Sequence, residues 1–290
     1  MSTGFRGFHP LTGFTFYILI FIFSLTATHP LCLAAVLLCG LFYDIKLHGK
    51  KALSFLIKVV LPFMLLALVF NGIVNPRGET QLFTFPWGKP FTLESAVFGL
   101  IFSLRAASTL IWLSSFNEII SNEKIIFLFG RLSPRTALVI SMSLRFIPLI
   151  ASQAEEINSA QKGIGSGDAS QSFSGRLKSG IKRLSILVTW TLERGIDTSD
   201  SMTARGFGLR KRTHYSRYIF SLRDAFLMLF SVAFIVLFIL TGSSLSCEYF
   251  PSISIPVPDA FSFFSLIFFV IFMIFPLIYD TAEEKKWSNF

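Results

Sequence analysis

Long apolar runs separated by short polar breaks fill the chain up to about residue 117 and again after about residue 217, while the stretch between keeps a different rhythm. Phe14 to Ala27 is apolar and stops at Thr28-His29-Pro30, and Leu31 to Tyr43 follows at once. A helix needs about 20 residues to cross a hydrocarbon core, so these two runs predict a tight hairpin of spans whose ends borrow flanking residues. Ala52 to Phe70 predicts a third span, with Lys58 near its start and Pro62 inside it. Thr92 to Phe116, Ser221 to Leu240 and Phe261 to Tyr279 predict three more. A lone Arg6 precedes the first run and no small-x-small cleavage pattern follows it, so the run reads as a retained span rather than a cleaved signal.

Between Asn117 and Arg217 the pattern turns amphipathic. Leu177, Ile181, Leu184, Val188, Leu192 and Ile196 recur every three or four residues and make a narrow apolar stripe, with Lys178, Lys182, Arg183 and Arg194 off it. Such a helix lies along a membrane face or against another helix and does not span. Gly163-Ile164-Gly165-Ser166-Gly167 separates it from an earlier predicted helix over Ser133 to Lys162. That helix is apolar over Ala137 to Ile150, apart from Arg145, and polar over Gln153 to Lys162. Its first half is placed in the inner leaflet rather than across the bilayer, because a full crossing would carry the basic block that follows to the outside.

Composition sharpens this picture. Of 290 residues 52% are hydrophobic, 35 are phenylalanine and only 15% are charged, far from a soluble domain. The expected fold class is an all-α polytopic membrane protein with about six transmembrane helices and a cytoplasmic insertion of long amphipathic helices. The net charge of +9 is mostly local: residues 117–217 carry 15 Lys plus Arg against eight acids, an excess of +7. Cytoplasmic loops collect Lys and Arg, so the charge reports topology, and no nucleic-acid partner is needed to explain it. Lys46, Lys50 and Lys51 mark a cytoplasmic loop by the same rule. Asn71 to Pro90, with only Arg77 and Lys89, and Thr241 to Asp259, with no Lys or Arg, read as external. The predicted organisation is therefore a membrane domain over 1–116, a cytoplasmic region over 117–217 and two closing spans over 218–290, with both termini cytoplasmic.

Catalytic chemistry is not evident. No Walker A pattern occurs, and His9, His29, His48 and His214 lack metal-ligand spacing. Cys32, Cys39 and Cys247 form no framework and read as buried small apolar residues. Asp197, Asp200, Ala204 and Arg205 mimic part of a membrane phosphotransferase signature, but no second aspartate pair follows. Two arginines interrupt apolar runs. Arg105 and Arg145 either face a partner or cavity, or snorkel to the interface or pair with a carboxylate such as Glu118. Pro148, beside Arg145-Phe146-Ile147, predicts a kink where the helix leaves the membrane.

One stretch remains, Leu192 to Arg212. Its Ala204-Arg205-Gly206 tripeptide reads as a last helical turn before a glycine stop, with Arg210, Lys211 and Arg212 just beyond. An arginine there presents a rigid fork suited to a carboxylate on another protein. The same residues also fit a solvated helix end carrying topological charge.

Here the sequence resembles a known family, the T component of energy-coupling factor (ECF) transporters, CbiQ/EcfT. The resemblance covers nearly the whole chain. Leu192-Glu193-Arg194 through Ser201-Met202-Thr203-Ala204-Arg205-Gly206-Phe207-Gly208 is similar to the family signature ending in Ala-Met-x-Ala-Arg-Gly-Tyr-Gly. Leu144-Arg145-Phe146-Ile147-Pro148 matches its Arg-Phe-Ile-Pro element, and Asn75-Pro76-Arg77-Gly78 with Thr92-Leu93-Glu94 resembles its external loop. The resemblance implies a non-catalytic scaffold in a prokaryotic cytoplasmic membrane, with no cofactor of its own. Two cytosolic ABC-type ATPases, which bind ATP and Mg, would dock on coupling helices through x-Arg-x motifs. The same helices would cradle a membrane S component that captures a vitamin or transition-metal ion. On this pattern Ala204, Arg205 and Gly206 form one ATPase-coupling motif, and Lys162, Gly163 and Ile164 stand in the other. Arg145, Phe146, Pro148, Leu184 and Val188 would contact the S component or support the scaffold. The first motif departs from the family's Ala-Gln-Arg-Ala-Arg-Gly: it reads Ala160-Gln161-Lys162-Gly163-Ile164-Gly165, with Ile164 in the arginine position. The alternative is a self-sufficient secondary carrier. It would need ionisable residues at mid-membrane in several spans, and only Lys58, Arg105 and Arg145 qualify.

Overall fold

A computed structural model describes residues 4–74, 78, 80–84, 90–132, 134–164, 173–208, 218–242, 244–250, 253–254 and 256–288. Asn75-Pro76-Arg77, Ser133, Gly165-Ser166-Gly167 and Arg210-Lys211-Arg212 lie outside the described residues. The chain divides into two compact units, one formed by residues 1–125 with 218–290 and the other by residues 126–217.

The first unit is a helical bundle. α1 (Pro10–Thr26) and α2 (Pro30–His48) form the predicted hairpin. Both open on the same device, His-Pro-Leu. The Nδ1 atoms of His9 and His29 accept the backbone N–H of Leu11 and Leu31, and Pro10 and Pro30 fill the first helical position, where no N–H is needed. Two of the four histidines are thus helix caps. α3 (Lys50–Phe55), a π-helical stretch (Leu56–Val60) and α4 (Leu61–Val74) make one continuous helix. The π stretch ends just before Pro62, whose missing N–H could not serve the carbonyl of Lys58 in an α register.

The loop after α4 carries a small antiparallel pair, β1 (Gln81–Thr84) with β2 (Pro90–Thr92), which the apolar pattern did not foretell. α5 (Leu93–Ile119) follows, capped by Thr92, and α6 (Asn122–Leu132) begins at its end. α9 (Leu222–Thr241) and α10 (Ala260–Ser288) complete the unit. Its core is aromatic: Phe16, Tyr17, Trp112, Phe234, Phe269 and Phe272 are all buried. Trp112 of α5 donates its indole N–H to the carbonyl of Val36 at 3.0 Å, and Gly40 of α2 makes room for it, since a Cβ there would fall 2.8 Å from Nε1.

Arg105 is a structural residue. Its guanidinium donates to the carbonyl of Ala27 at 2.8 Å and so satisfies the end of α1. It does not pair with Glu118, which is held instead by Arg6 and lies 3.7 Å from His48 Nε2. Thr28 anchors the loop before α10, accepting the N–H of Cys247 at Oγ1 (2.9 Å) and the Tyr249 hydroxyl at its carbonyl (2.7 Å).

The second unit is built on α7 (Pro134–Gly163) and α8 (Phe173–Ala204), which pack on each other. Pro148 lies within an uninterrupted α7. Among the described residues six helices are long and apolar enough to cross a membrane, but they are not quite the predicted six. Leu138–Gly163 of α7 qualifies by length and composition, while Pro10–Thr26, at 17 residues, falls among the shorter apolar helices. Seventeen residues reach roughly 26 Å at about 1.5 Å per residue, near the lower limit for a span.

Candidate coupling surface

α8 has two faces of opposite use. Arg183, Leu187, Trp190 and Thr191 are half-buried, and Arg183 donates to Asn158 Oδ1 of α7 at 2.9 Å. On the adjoining face, Leu177, Ile181, Leu184, Val188, Leu192 and Ile196 are all exposed, Leu184 at 62% and Val188 at 49%. The stripe read from the sequence is therefore largely uncovered, and of the charged residues off it Arg183 is the one that ties α8 to α7. Where α7 and α8 cross, Ile157 is buried, and an open groove of about 710 Å³ runs between Ala151–Asn158 and Gly180–Leu187. Leu184 lines that groove as well as the stripe.

The Ala204-Arg205-Gly206 end forms as the spacing predicts. Arg205 still donates its N–H to the carbonyl of Ser201 (3.2 Å), Gly206 donates to Thr203 (3.0 Å) and Phe207 to Met202 (2.9 Å). This pair of closing bonds is a Schellman stop, with Gly206 at φ 82° in the left-handed region that an L side chain avoids. Gly208 also has a positive φ, 100°. Arg205 thus sits one residue past the end of α8, at the cap position of the stop, with its side chain exposed. A cation suits that end of the helix dipole.

The end of α7 is chemically different. The Ile164 N–H donates to Ala160 at 3.2 Å, Lys162 and Gly163 are exposed, and Ile164 is 79% exposed. An apolar side chain and a neighbouring ammonium stand where an arginine fork was expected. Arg145 is exposed, with its guanidinium 5.8 Å from the ring centroid of the half-buried Phe146. Arg145, Phe146 and Pro148 precede the groove lining on α7, which begins at Ala151, three residues after Pro148.

Among the described residues no group of His, Cys, Asp and Glu could hold a metal ion. What the surface presents is an apolar stripe, a groove and two exposed helix ends.

Residues 9–215 match the family CbiQ, cobalt transport protein. The chain is 27% identical over 236 residues to the energy-coupling factor transporter transmembrane protein EcfT of Brevibacillus brevis, covering 76% of this chain and 86% of that one. It is 28% identical over the same length and shares to the EcfT protein of Exiguobacterium sibiricum. A shorter match, 34% over 110 residues, covers 37% of this chain and 41% of the Staphylococcus aureus EcfT protein. The matched region takes in α1 through α8, including both helix ends and the exposed stripe, and on it this chain belongs to the CbiQ/EcfT family.

Proposed function

We propose that the chain is the transmembrane coupling component of an ECF-type importer. It passes the ATP-driven motion of two cytosolic ATPases to a membrane S component that delivers a vitamin or a transition-metal ion. The single observation that carries this reading is α8 itself, a helix whose apolar stripe is uncovered along its length and whose far end is a Schellman stop bearing Arg205. Six uncovered apolar residues at helical spacing are costly in water, and an apolar membrane partner removes that cost. Arg205 supplies the opposite chemistry, a fork for a carboxylate in an ATPase groove. ATP and Mg belong to the ATPases, and the chain's own task is to bind, hold and move.

The two docking points are unequal. Arg205 can form a bidentate ion pair, whereas the Lys162-Gly163-Ile164 end offers a point charge and an apolar side chain. The ATPase contact at Arg205 is therefore the stronger electrostatic anchor. The chain sits in the cell membrane of a prokaryote with both termini on the ATPase side.

The test is a pull-down of tagged full-length chain from membranes in mild detergent, wild type beside Arg205→Glu. Two ABC-type ATPases that accompany wild type, with one lost from the variant, support the coupling role. Absence of any ATPase from wild type, together with substrate uptake by the chain alone in ATP-free vesicles, overturns it in favour of a secondary carrier.

A further inference from the structure

The short segment before α1 makes contacts out of proportion to its length. Phe5–Gly7 forms a single 3-10 turn, and Phe5, Phe8 and His9 are buried. Three acidic side chains from three helices grip it. The Phe5 N–H donates to Asp280 Oδ1 of α10, the Arg6 guanidinium to Glu118 Oε1 of α5, and the His9 N–H to Asp224 Oδ1 of α9 at 2.8 Å. Aromatic rings fix it further: Phe5 meets Phe16 and Tyr17, and Phe8 meets Phe275 and Tyr279.

Two of these grips fall where the chain passes between its units. The chain leaves the first unit after residue 125 and comes back to it at residue 218. Glu118 lies one residue before the end of α5, and Lys124, 5% exposed, donates from Nζ to the carbonyl of Ile119 at 3.1 Å, closing that helix end. Asp224 lies at the start of α9. Its Oδ2 accepts both the N–H (2.9 Å) and the hydroxyl (2.7 Å) of Ser221, which caps α9, while its Oδ1 holds His9. The His9 ring also meets Phe220 with centroids 5.6 Å apart.

We propose that residues 4–9 are a clamp that fixes both chain crossings of the coupling unit to one strap, anchored by the buried Phe5, Phe8 and His9, and through Asp280 to α10. A helix end frays at little cost unless its terminal groups are held. Motion delivered to an insertion is lost if the two points where it joins the scaffold can yield. Holding both points on one backbone segment makes them yield together or not at all. The role in transport rests on the coupling reading above; the mechanical link between the two crossings does not.

The test reads that link in the purified full-length chain, with no partner present. Phe5→Leu keeps an apolar side chain but loses the ring contacts with Phe8, Phe16 and Tyr17. Hydrogen–deuterium exchange is followed over residues 117–124 and 218–224. The expected result is faster exchange at both crossings, on the order of tenfold, with α2 and the middle of α5 unchanged. Arg6→Ala, which lies outside the ring cluster and is safer for folding, should loosen 218–224 as well as 117–124. Exchange confined to 117–124 in Arg6→Ala, or unchanged at both crossings in Phe5→Leu, overturns the clamp. A separate arm keeps the two readings apart. If ATPases accompany wild type, the Phe5→Leu chain should retain them and lose uptake. Uptake kept at the wild-type level overturns the clamp's part in transport, whereas failure of ATPases to accompany wild type strikes the coupling reading and leaves the exchange result standing.

Discussion

Gly206 is the residue on which the coupling end depends most directly. At φ 82° it lets the N–H groups of Gly206 and Phe207 turn back onto α8. Replacing it with alanine forces a Cβ into that region at a cost of about 1–2 kcal/mol. Gly206→Ala should therefore lower the melting temperature modestly and weaken ATPase retention through Arg205, whose own side chain is untouched. Retention at wild-type strength would show that the stop does not position the arginine. Lys124 makes a second residue-scale prediction. Burial, helped by the charge of Arg6, pulls its ammonium down from 10.5 to about 8. The folded chain then binds fewer protons than the unfolded chain between pH 8 and about 10.5, so this group's contribution to stability rises with pH across that window. Burial pushes the Cys247 thiol up, which acts in the opposite sense once an unfolded thiol ionises near pH 9. The clean comparison is the difference in melting temperature between wild type and Lys124→Met from pH 7.5 to 9, expected to move in favour of wild type. A difference that stays flat would show that Lys124 is solvated at its ordinary value. The sequence marked Gly206 as a stop, because glycine after a periodic helix has one common use. It marked Lys124 only as a topological charge, since its partner is a backbone carbonyl that no side-chain pattern reveals.

At the scale of the element, α8 separates stability from docking. Leu184 and Val188 are exposed, so replacing them with Glu and Lys removes little packing, and the folding cost should stay within about 0.5 kcal/mol each. Ile157, buried where α7 and α8 cross, is the contrast: Ile157→Ala should cost roughly 2–5 kcal/mol. Thermal melts of the two variants, set beside recovery of a co-expressed S component, should show stability lost in one and association lost in the other. A strongly destabilised Leu184→Glu/Val188→Lys chain would mean that the stripe is packed within the protein. The stripe itself was legible because a period of three to four needs nothing beyond the sequence. The side that meets α7 was not, for it mixes Leu187 and Trp190 with Arg183 and Thr191, and Arg183 turns inward only because Asn158 is opposite. The same limit hid the strap: six residues cannot show a period, and their partners lie at positions 118, 224 and 280. The β1–β2 pair escaped for a similar reason, being two very short strands whose alternation a loop can match by chance.

For the whole molecule the open question of sidedness turns on α7. By length and composition Leu138–Gly163 could span, with a mean hydropathy of 1.2 against 1.7 or more for the other five. Its apolar part, however, stops near Ile150, and Glu155, Glu156 and Lys162 follow. From Leu138 to Ile150 an α-helix rises only about 20 Å, short of a hydrocarbon core of about 30 Å. If α7 nevertheless crossed, Ile164 would emerge opposite the basic loop at Lys46 to Lys51, and the positive excess of residues 117–217 would lie against the charge rule. A single-cysteine experiment decides between the two. With Cys32, Cys39 and Cys247 replaced by serine, Ile164→Cys and Val257→Cys place thiols at two highly exposed positions, 79% and 88%. In intact cells a membrane-impermeant maleimide should label position 257 and leave 164 unlabelled until the membrane is opened. Labelling of both in intact cells would put the end of α7 outside and remove Lys162 and Ile164 from reach of any cytosolic ATPase. Labelling of neither would turn the loop before α10 inward, and with it the assignment of both termini. The expected pattern leaves seven apolar helices with six crossings, because α7 is long enough to be counted but too polar in its second half to go through.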